Sequence, residues 1–220
     1  NDYGQTSVPQ DLVNVVDISA GEDHTIALKS DGTIVGWGRD NEGQLSIPID
    51  LISELNDIIS IASGDDHNLA LKLDGTVVAW GYNNYNQIDV PEDLSNVIAI
   101  SAGSQFSQAL KSDGTVVSWG RNNHASTEVP LDLSGVVDIV SGEWFSLALE
   151  SDGSVVAWGR NNQGQCDVPS DLSDVVAVTA GHEHSLVLKS DGTLVTWGRD
   201  YEGQLNIPEN LIFGIPCDEF

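Results

Sequence analysis

The stretch 181-GHEHSLVLKSDGTLVTWGRDYEGQLNIP-208 decides the fold, because four more copies of its plan precede it. Its Trp-Gly pair recurs at Trp37, Trp80, Trp119, Trp158 and Trp197, spaced by 43, 39, 39 and 39 residues. Its leading glycine recurs in step at Gly21, Gly64, Gly103, Gly142 and Gly181. A proline follows each of those tryptophans by 11 residues, at Pro48, Pro91, Pro130, Pro169 and Pro208. The one long interval reflects a four-residue insertion within 49-IDLISELND-57. Three landmarks held in register over five copies mark a tandem-repeat architecture.

Each copy reads as extended pieces. The first is a β-branched run, as in 15-VVDISAG-21; the second alternates, as in 24-HTIALK-29; the third is 33-TIVGWG-38. Asp-Gly pairs separate the second and third pieces at Asp31-Gly32, Asp74-Gly75, Asp113-Gly114, Asp152-Gly153 and Asp191-Gly192. That dipeptide between alternating runs predicts a hairpin, with a type I′ turn expected. The fourth piece, 43-GQLSIP-48, is the least regular, and its proline suits a strand end. An antiparallel unit of three to four strands repeating every 39 residues predicts a blade of an all-β propeller.

The chain ends refine this. Residues 4-GQTSVP-9 match a fourth piece without the three before it, and 203-GQLNIP-208 supplies another. The expectation is one propeller domain over residues 1–210, with repeats near 15–48, 58–91, 97–130, 136–169 and 175–208. Residues 1–14 would be the segment that closes the five-bladed ring by pairing beside the last blade, and 211-LIFGIPCDEF-220 a tail. The alternatives are strand exchange with another copy, or an arc of a larger ring.

Composition narrows the function. The net charge is −26, from 34 acidic and 8 basic residues. Such a surface repels nucleic acid, whose phosphates need Lys and Arg, and it favours a basic partner. It also suits a salty, extracellular or cell-envelope setting that screens self-repulsion. No apolar run approaches the roughly 20 residues of a membrane helix, so no membrane insertion is expected. The chain has no methionine, even at position 1, as a processed or excised form would. Cys166 and Cys217, the only cysteines, allow at most one disulfide.

The unit GxxHxLALKxDGTVVxWGxNxxGQxxVP resembles the repeat of the regulator of chromosome condensation family. Gly181, His184, Leu186, Leu188, Trp197, Gly198, Gly203 and Gln204 display it well, and the resemblance covers residues 4–208. In length the unit is most similar to a short-repeat bacterial branch, which includes a propeller-type β-lactamase inhibitor protein. The resemblance implies a scaffold for protein–protein contact. Family rings commonly have seven blades, and five departs from that. Exchange-factor activity on the small GTPase Ran with nucleosome binding would need basic DNA-contacting segments and a wedge insertion, which this sequence lacks. The plant UV-B photoreceptor uses a Gly-Trp-Arg-His-Thr setting, whereas the order here is Trp-Gly-Arg, once per blade.

Most polar residues recur in every copy, whereas an active site is a singular constellation, so no catalysis is expected. His24, His67 and His184 share one repeat position with Phe106 and Phe145. A position that accepts Phe is a packing position, so no metal and no cofactor are expected. All eight basic residues fall on two repeat positions: Lys29, Lys72, Lys111 and Lys189 before the hairpin turn, and Arg39, Arg121, Arg160 and Arg199 after Trp-Gly. They read as structural partners of nearby carboxylates or aromatic rings.

The departures from the repeat are more informative. A meander places the first and third connections of every blade at one end. Those connections carry Asp66, Gln105, Glu143, Trp144 and His182, together with Tyr3, Tyr82, Tyr85, Tyr201 and His124. Exposed Tyr and Trp beside adaptable polar groups suit a recognition surface. The expectation is a non-enzymatic module that binds a protein partner through an aromatic and acidic loop face. A carbohydrate-binding propeller and a structural subunit of an extracellular assembly are the rivals.

Overall fold

A computed structural model describes residues 1–53 and 57–208. Fifteen strands form five separate three-stranded antiparallel sheets, each built from consecutive strands. The first blade comprises β1 (Val15–Ala20), β2 (His24–Lys29) and β3 (Ile34–Gly38). A short helix α1 (Ile49–Ser53) occupies the insertion before β4 (Ile58–Ser63), β5 (His67–Lys72) and β6 (Val77–Gly81) of the second. The third blade has β7 (Val97–Ala102), β8 (Phe106–Lys111) and β9 (Val116–Gly120). The fourth has β10 (Val136–Ser141), β11 (Phe145–Glu150) and β12 (Val155–Gly159), and the fifth β13 (Val175–Ala180), β14 (His184–Lys189) and β15 (Leu194–Gly198). Five all-β blades thus match the five repeats.

The hairpin turns correct one expectation. Lys29 N donates to Thr33 O and Gly32 N to Lys29 O, both at 2.9 Å, so the loop is three residues long. Among its residues only Gly32 has positive φ, at 79°. This is a type I turn followed by a left-handed glycine, not a type I′ turn, whose two central residues would both need positive φ. Asp31 caps it by accepting the Thr33 amide at 3.0 Å.

Each first strand begins with a register shift, between Val15 and Asp17 in the first blade and between Ile58 and Ser60 in the second. The extra residue puts Ile58 and Ile61 on one face, where strict alternation would have separated them. That face packs against the preceding blade: Ile58, Ile61, Ala70 and Trp80 bury against Ile26, Leu28 and Ile34. The same exchange joins blade two to three, three to four and four to five. The core is therefore four repeated seams between sheets.

The fourth piece is no strand. In 41-NEGQLSIP-48 the backbone makes tight turns, with Ser46 N on Gly43 O at 3.0 Å and Gly43 at φ 77°. The turns push Gln44 into the next blade, where its carbonyl accepts the Trp80 indole N–H at 3.0 Å and the Asn68 amide at 2.8 Å. Gln87 clasps Trp119, Ser126 clasps Trp158 and Gln165 clasps Trp197 in the same way. A residue with a Cβ at Gly38, where the clasp crosses the Trp-Gly strand, would meet Asp23 O at 2.5 Å.

The N-terminal segment corrects the closing expectation. Gln5 O accepts the Trp37 indole N–H at 2.9 Å, so residues 4–9 clasp the first blade and not the last. Among the described residues no hydrogen bond or ion pair joins the fifth blade to the first. Ile18 is 70% exposed where Ile61 is 6% and Ile139 is 5%, because no blade lies against it. The five blades form an open arc, the arrangement weighed as an arc of a larger ring. The tail from 211 to 220, with Cys217, lies outside the described residues.

Candidate functional site

The first and third connections of each blade do lie at one end. Arg39 N donates to Asp23 O, Tyr82 N to Asp66 O, Arg121 N to Gln105 O, Arg160 N to Trp144 O and Arg199 N to Glu183 O, all at 2.8–2.9 Å. The first connections of all five blades line one cavity of about 440 Å³, with Glu22, Asp65, Ser104, Glu143 and His182 facing it. Their main chains link round it: Glu22 N donates to Asp65 O, Asp65 N to Ser104 O, Ser104 N to Glu143 O and Glu143 N to His182 O. The conserved geometry of the repeat thus builds a rim around an acidic mouth.

Four arginines organise the rim. Arg160 Nη1 lies 3.0 Å from Glu143 and 3.2 Å from Glu183, and Arg199 reaches Glu183 and Glu202 at 2.8 Å each. Arg39 Nη1 is 3.6 Å from Asp66 and 3.9 Å from Asp23, with Tyr3 under its guanidinium at 5.6 Å. Tyr201, 75% exposed, stacks on Arg199 at 5.0 Å.

Arg121 differs. Among the described residues it has no carboxylate partner, because Gln105 stands where Asp23, Asp66 and Glu183 stand in other blades. Its Nη1 donates to Gln105 Oε1 at 2.5 Å, and its Nη2 and Nε lie 2.8 and 3.0 Å from the Asn123 side-chain amide, whose oxygen accepts from both when the amide is oriented to satisfy them. The guanidinium sits 4.4 Å from the Tyr85 ring and 4.9 Å from the Trp144 ring. Tyr82 meets Tyr85 edge-on at 6.1 Å, and His124 meets Trp144 edge-on at 5.6 Å. Tyr82, Tyr85, Gln105, His124 and Trp144 are therefore one continuous cluster across blades two to four.

The remaining expected residues do not join it. Tyr3 and Asp66 belong to the Arg39 group, Glu143 and His182 to the Arg160 group, and Tyr201 stands at the fifth blade. Trp144 is also not the exposed aromatic that the sequence suggested: it is 9% exposed, because Arg121 and His124 from the preceding blade cover it. Arg121 is a site residue beyond those expected from the sequence. Its signal was Gln105, the neutral residue at a position otherwise held by carboxylates or Trp144.

The histidine position is a packing position where the structure can be compared. His24, His67, Phe106 and Phe145 are all fully buried, each ring over the leading glycine of its own blade. A Cβ on Gly64 would lie 2.2 Å from the His67 ring and 2.3 Å from Gly103 O, so only glycine fits there. Burial drives the His67 imidazole down to about 3, with His24 adding to it, so it stays neutral. The ligand atoms of Glu143, His182 and Glu183 lie within 4.8 Å of one another, but guanidinium groups already sit on both carboxylates. At the mouth, burial first and neighbouring carboxylates next push Glu22 upward, and burial does the same to Asp65.

Five segments of the chain match the model of the regulator of chromosome condensation (RCC1) repeat: residues 15–44, 58–87, 97–125, 136–165 and 175–204. Protein pim1 of the fission yeast Schizosaccharomyces pombe is 49% identical over 41 residues, 19% of this chain and 8% of that protein. Prp20p of Saccharomyces cerevisiae, whose structure is described with its binding to Gsp1p and histones, superposes with a TM-score of 0.73 at 22% identity. That match covers 91% of this chain and 61% of Prp20p. Human WBSCR16 superposes with a TM-score of 0.72 at 19% identity, over 87% of this chain and 63% of that one. The chain thus spans about three fifths of the length of these solved relatives.

Proposed function

Because the chain belongs to the regulator of chromosome condensation (RCC1) repeat family, we propose that it is a non-enzymatic module that binds a protein partner at the rim around Arg121. The observation that carries this reading is the Arg121 cluster: a cation held by aromatic rings and amides, with no carboxylate partner among the described residues, on a chain of net charge −26. Arg, Tyr and Trp are the residues that dominate the energy of protein interfaces. The other rim arginines are neutralised in place and serve the scaffold. The acidic mouth beside the cluster favours a partner that carries basic groups around its contact. Binding of Gsp1p and histones by Prp20p, and its complex with Kap60, support protein recognition as the use of this scaffold. The charge also supports an extracellular or envelope setting, where salt screens it.

The test is capture from the cells that make the protein, run beside a Tyr82→Ala, Tyr85→Ala and Arg121→Ala triple variant whose fold is verified by circular dichroism. A retained protein should be lost by more than about tenfold on the variant, a change of only about 1.4 kcal/mol. Equal retention overturns the reading. A glycan-array signal that disappears in a Tyr85→Ala chain moves it to carbohydrate instead.

A further inference from the structure

We propose that the two ends of the arc dock on each other between copies, so that the fifth blade of one chain seats on the first blade of a second. Such docking continues the four seams inside the chain. At every internal seam, residues of the second and third strands of one blade bury against the first strand and Trp of the next. Among the described residues, nothing lies against the first half of that seam on the fifth blade. Leu186, Leu188 and Leu194 are only partly buried, whereas Ile26, Leu28 and Ile34 in the first blade are 0%, 1% and 7% exposed. The first blade presents the other half. Val15 and Ile18 are 39% and 70% exposed, against 7% and 6% for Ile58 and Ile61, and Trp37 alone among the Trp-Gly tryptophans is not buried.

Polar groups continue the same way. Ser63 N donates to Ser19 Oγ at 2.8 Å and Ser141 N to Ser101 Oγ at 2.9 Å, so a hydroxyl on one blade receives the first strand of the next. Thr179 carries that hydroxyl on the fifth blade, and the Ala20 amide of a second copy is its matching donor. The main-chain links around the mouth also stop at this point: His182 O accepts from Glu143, and the next link would run from His182 N to Glu22 O of the second copy. One place is contested. The clasp 203–208 of the incoming blade and the clasp 4–9 of the receiving one are made for the same position, so docking displaces one of them. The contact is head to tail, and such contacts make rings if the rotation closes and filaments if it does not.

Sedimentation velocity on the whole chain tests this over a range of concentration and salt. Association should grow with concentration and strengthen with salt, because a chain of net charge −26 repels its copies. Ile18→Asp blocks the head and Leu186→Asp blocks the tail, and both positions are solvent-accessible, so unfolding scans should show intact monomers. Each variant alone should be monomeric. An equimolar mixture should give a 1:1 dimer and nothing larger, since each retains the one face the other needs. A wild-type chain that stays monomeric at every concentration and salt overturns the proposal. So does assembly that survives either substitution, or a mixture that yields no dimer.

Discussion

The main-chain carbonyl of Gln44 accepts the indole N–H of Trp80 at 3.0 Å, across the boundary between the first and second blades. Gln44 is fully buried and Trp80 is 4% exposed, so the bond forms away from water and ties two sheets that share no strand. The same bond recurs at every Trp-Gly tryptophan, which explains why tryptophan and not another large apolar residue holds that position.

Trp80→Phe removes this donor and shrinks a packed ring, for a loss of about 2 kcal/mol of stability by the usual cost of a hydrogen bond plus a small cavity. Trp37→Phe, at the open end, should cost roughly half as much because the ring there is already partly exposed. Urea unfolding of both variants checks the order. Equal losses would mean that the first blade is as well covered as the second.

The blade count, the strand order and the packing role of the histidines were legible because Trp-Gly, Asp-Gly and the leading glycine recur in register. The clasp was not. 43-GQLSIP-48 has too few residues for periodicity to separate a strand from two turns, and its role depends on a tryptophan 36 residues later in the next blade. Closure was illegible for another reason: the angle between blades is set by the side chains in the seams, and the repeat pattern is the same whether the ring closes or stays open. Trp144 stood out correctly as unusual, yet its cover comes from Arg121 and His124 on the neighbouring blade, which no local pattern reveals.

Stability should rise on mild acidification. Burial holds the folded-state titrations of Asp65 and Glu22 above their ordinary values, so these carboxyls burden the fold while charged. A raised acid binds its proton more tightly in the folded state, so stability is lost as pH rises through its folded value and regained as pH falls. The turn aspartates work in the opposite sense: Asp31 is drawn down to about 2 by Lys29 and then by the Thr33 amide, and its contribution disappears only in strong acid. Thermal unfolding should therefore give a Tm that rises as pH falls from neutral toward the ordinary carboxylate range, with a fall in stronger acid. In an Asp65→Asn chain that gain should be smaller. A Tm that falls steadily from pH 7 downward contradicts the description of the mouth.

Cys166 should be a poor nucleophile. Its thiol donates to Arg160 O at 3.3 Å, and burial with Asp167 nearby pushes it up to about 12. In a Cys217→Ser chain, iodoacetamide at pH 8 should label native Cys166 roughly a hundred- to a thousandfold more slowly than the unfolded chain, since only the thiolate reacts. Labelling at the unfolded rate would show that the clasp around Gln165 does not pack as described.

The most direct test of the stacked-blade account is hydrogen exchange at the tryptophan indoles, followed by NMR. The N–H groups of Trp80, Trp119, Trp158 and Trp197 each donate to a main-chain carbonyl of the preceding clasp, at 2.9–3.1 Å. All four should be protected far beyond an exposed indole and exchange together as the fold opens. Four indoles exchanging at the rate of a free peptide would mean that the clasps do not hold the blades around a common axis.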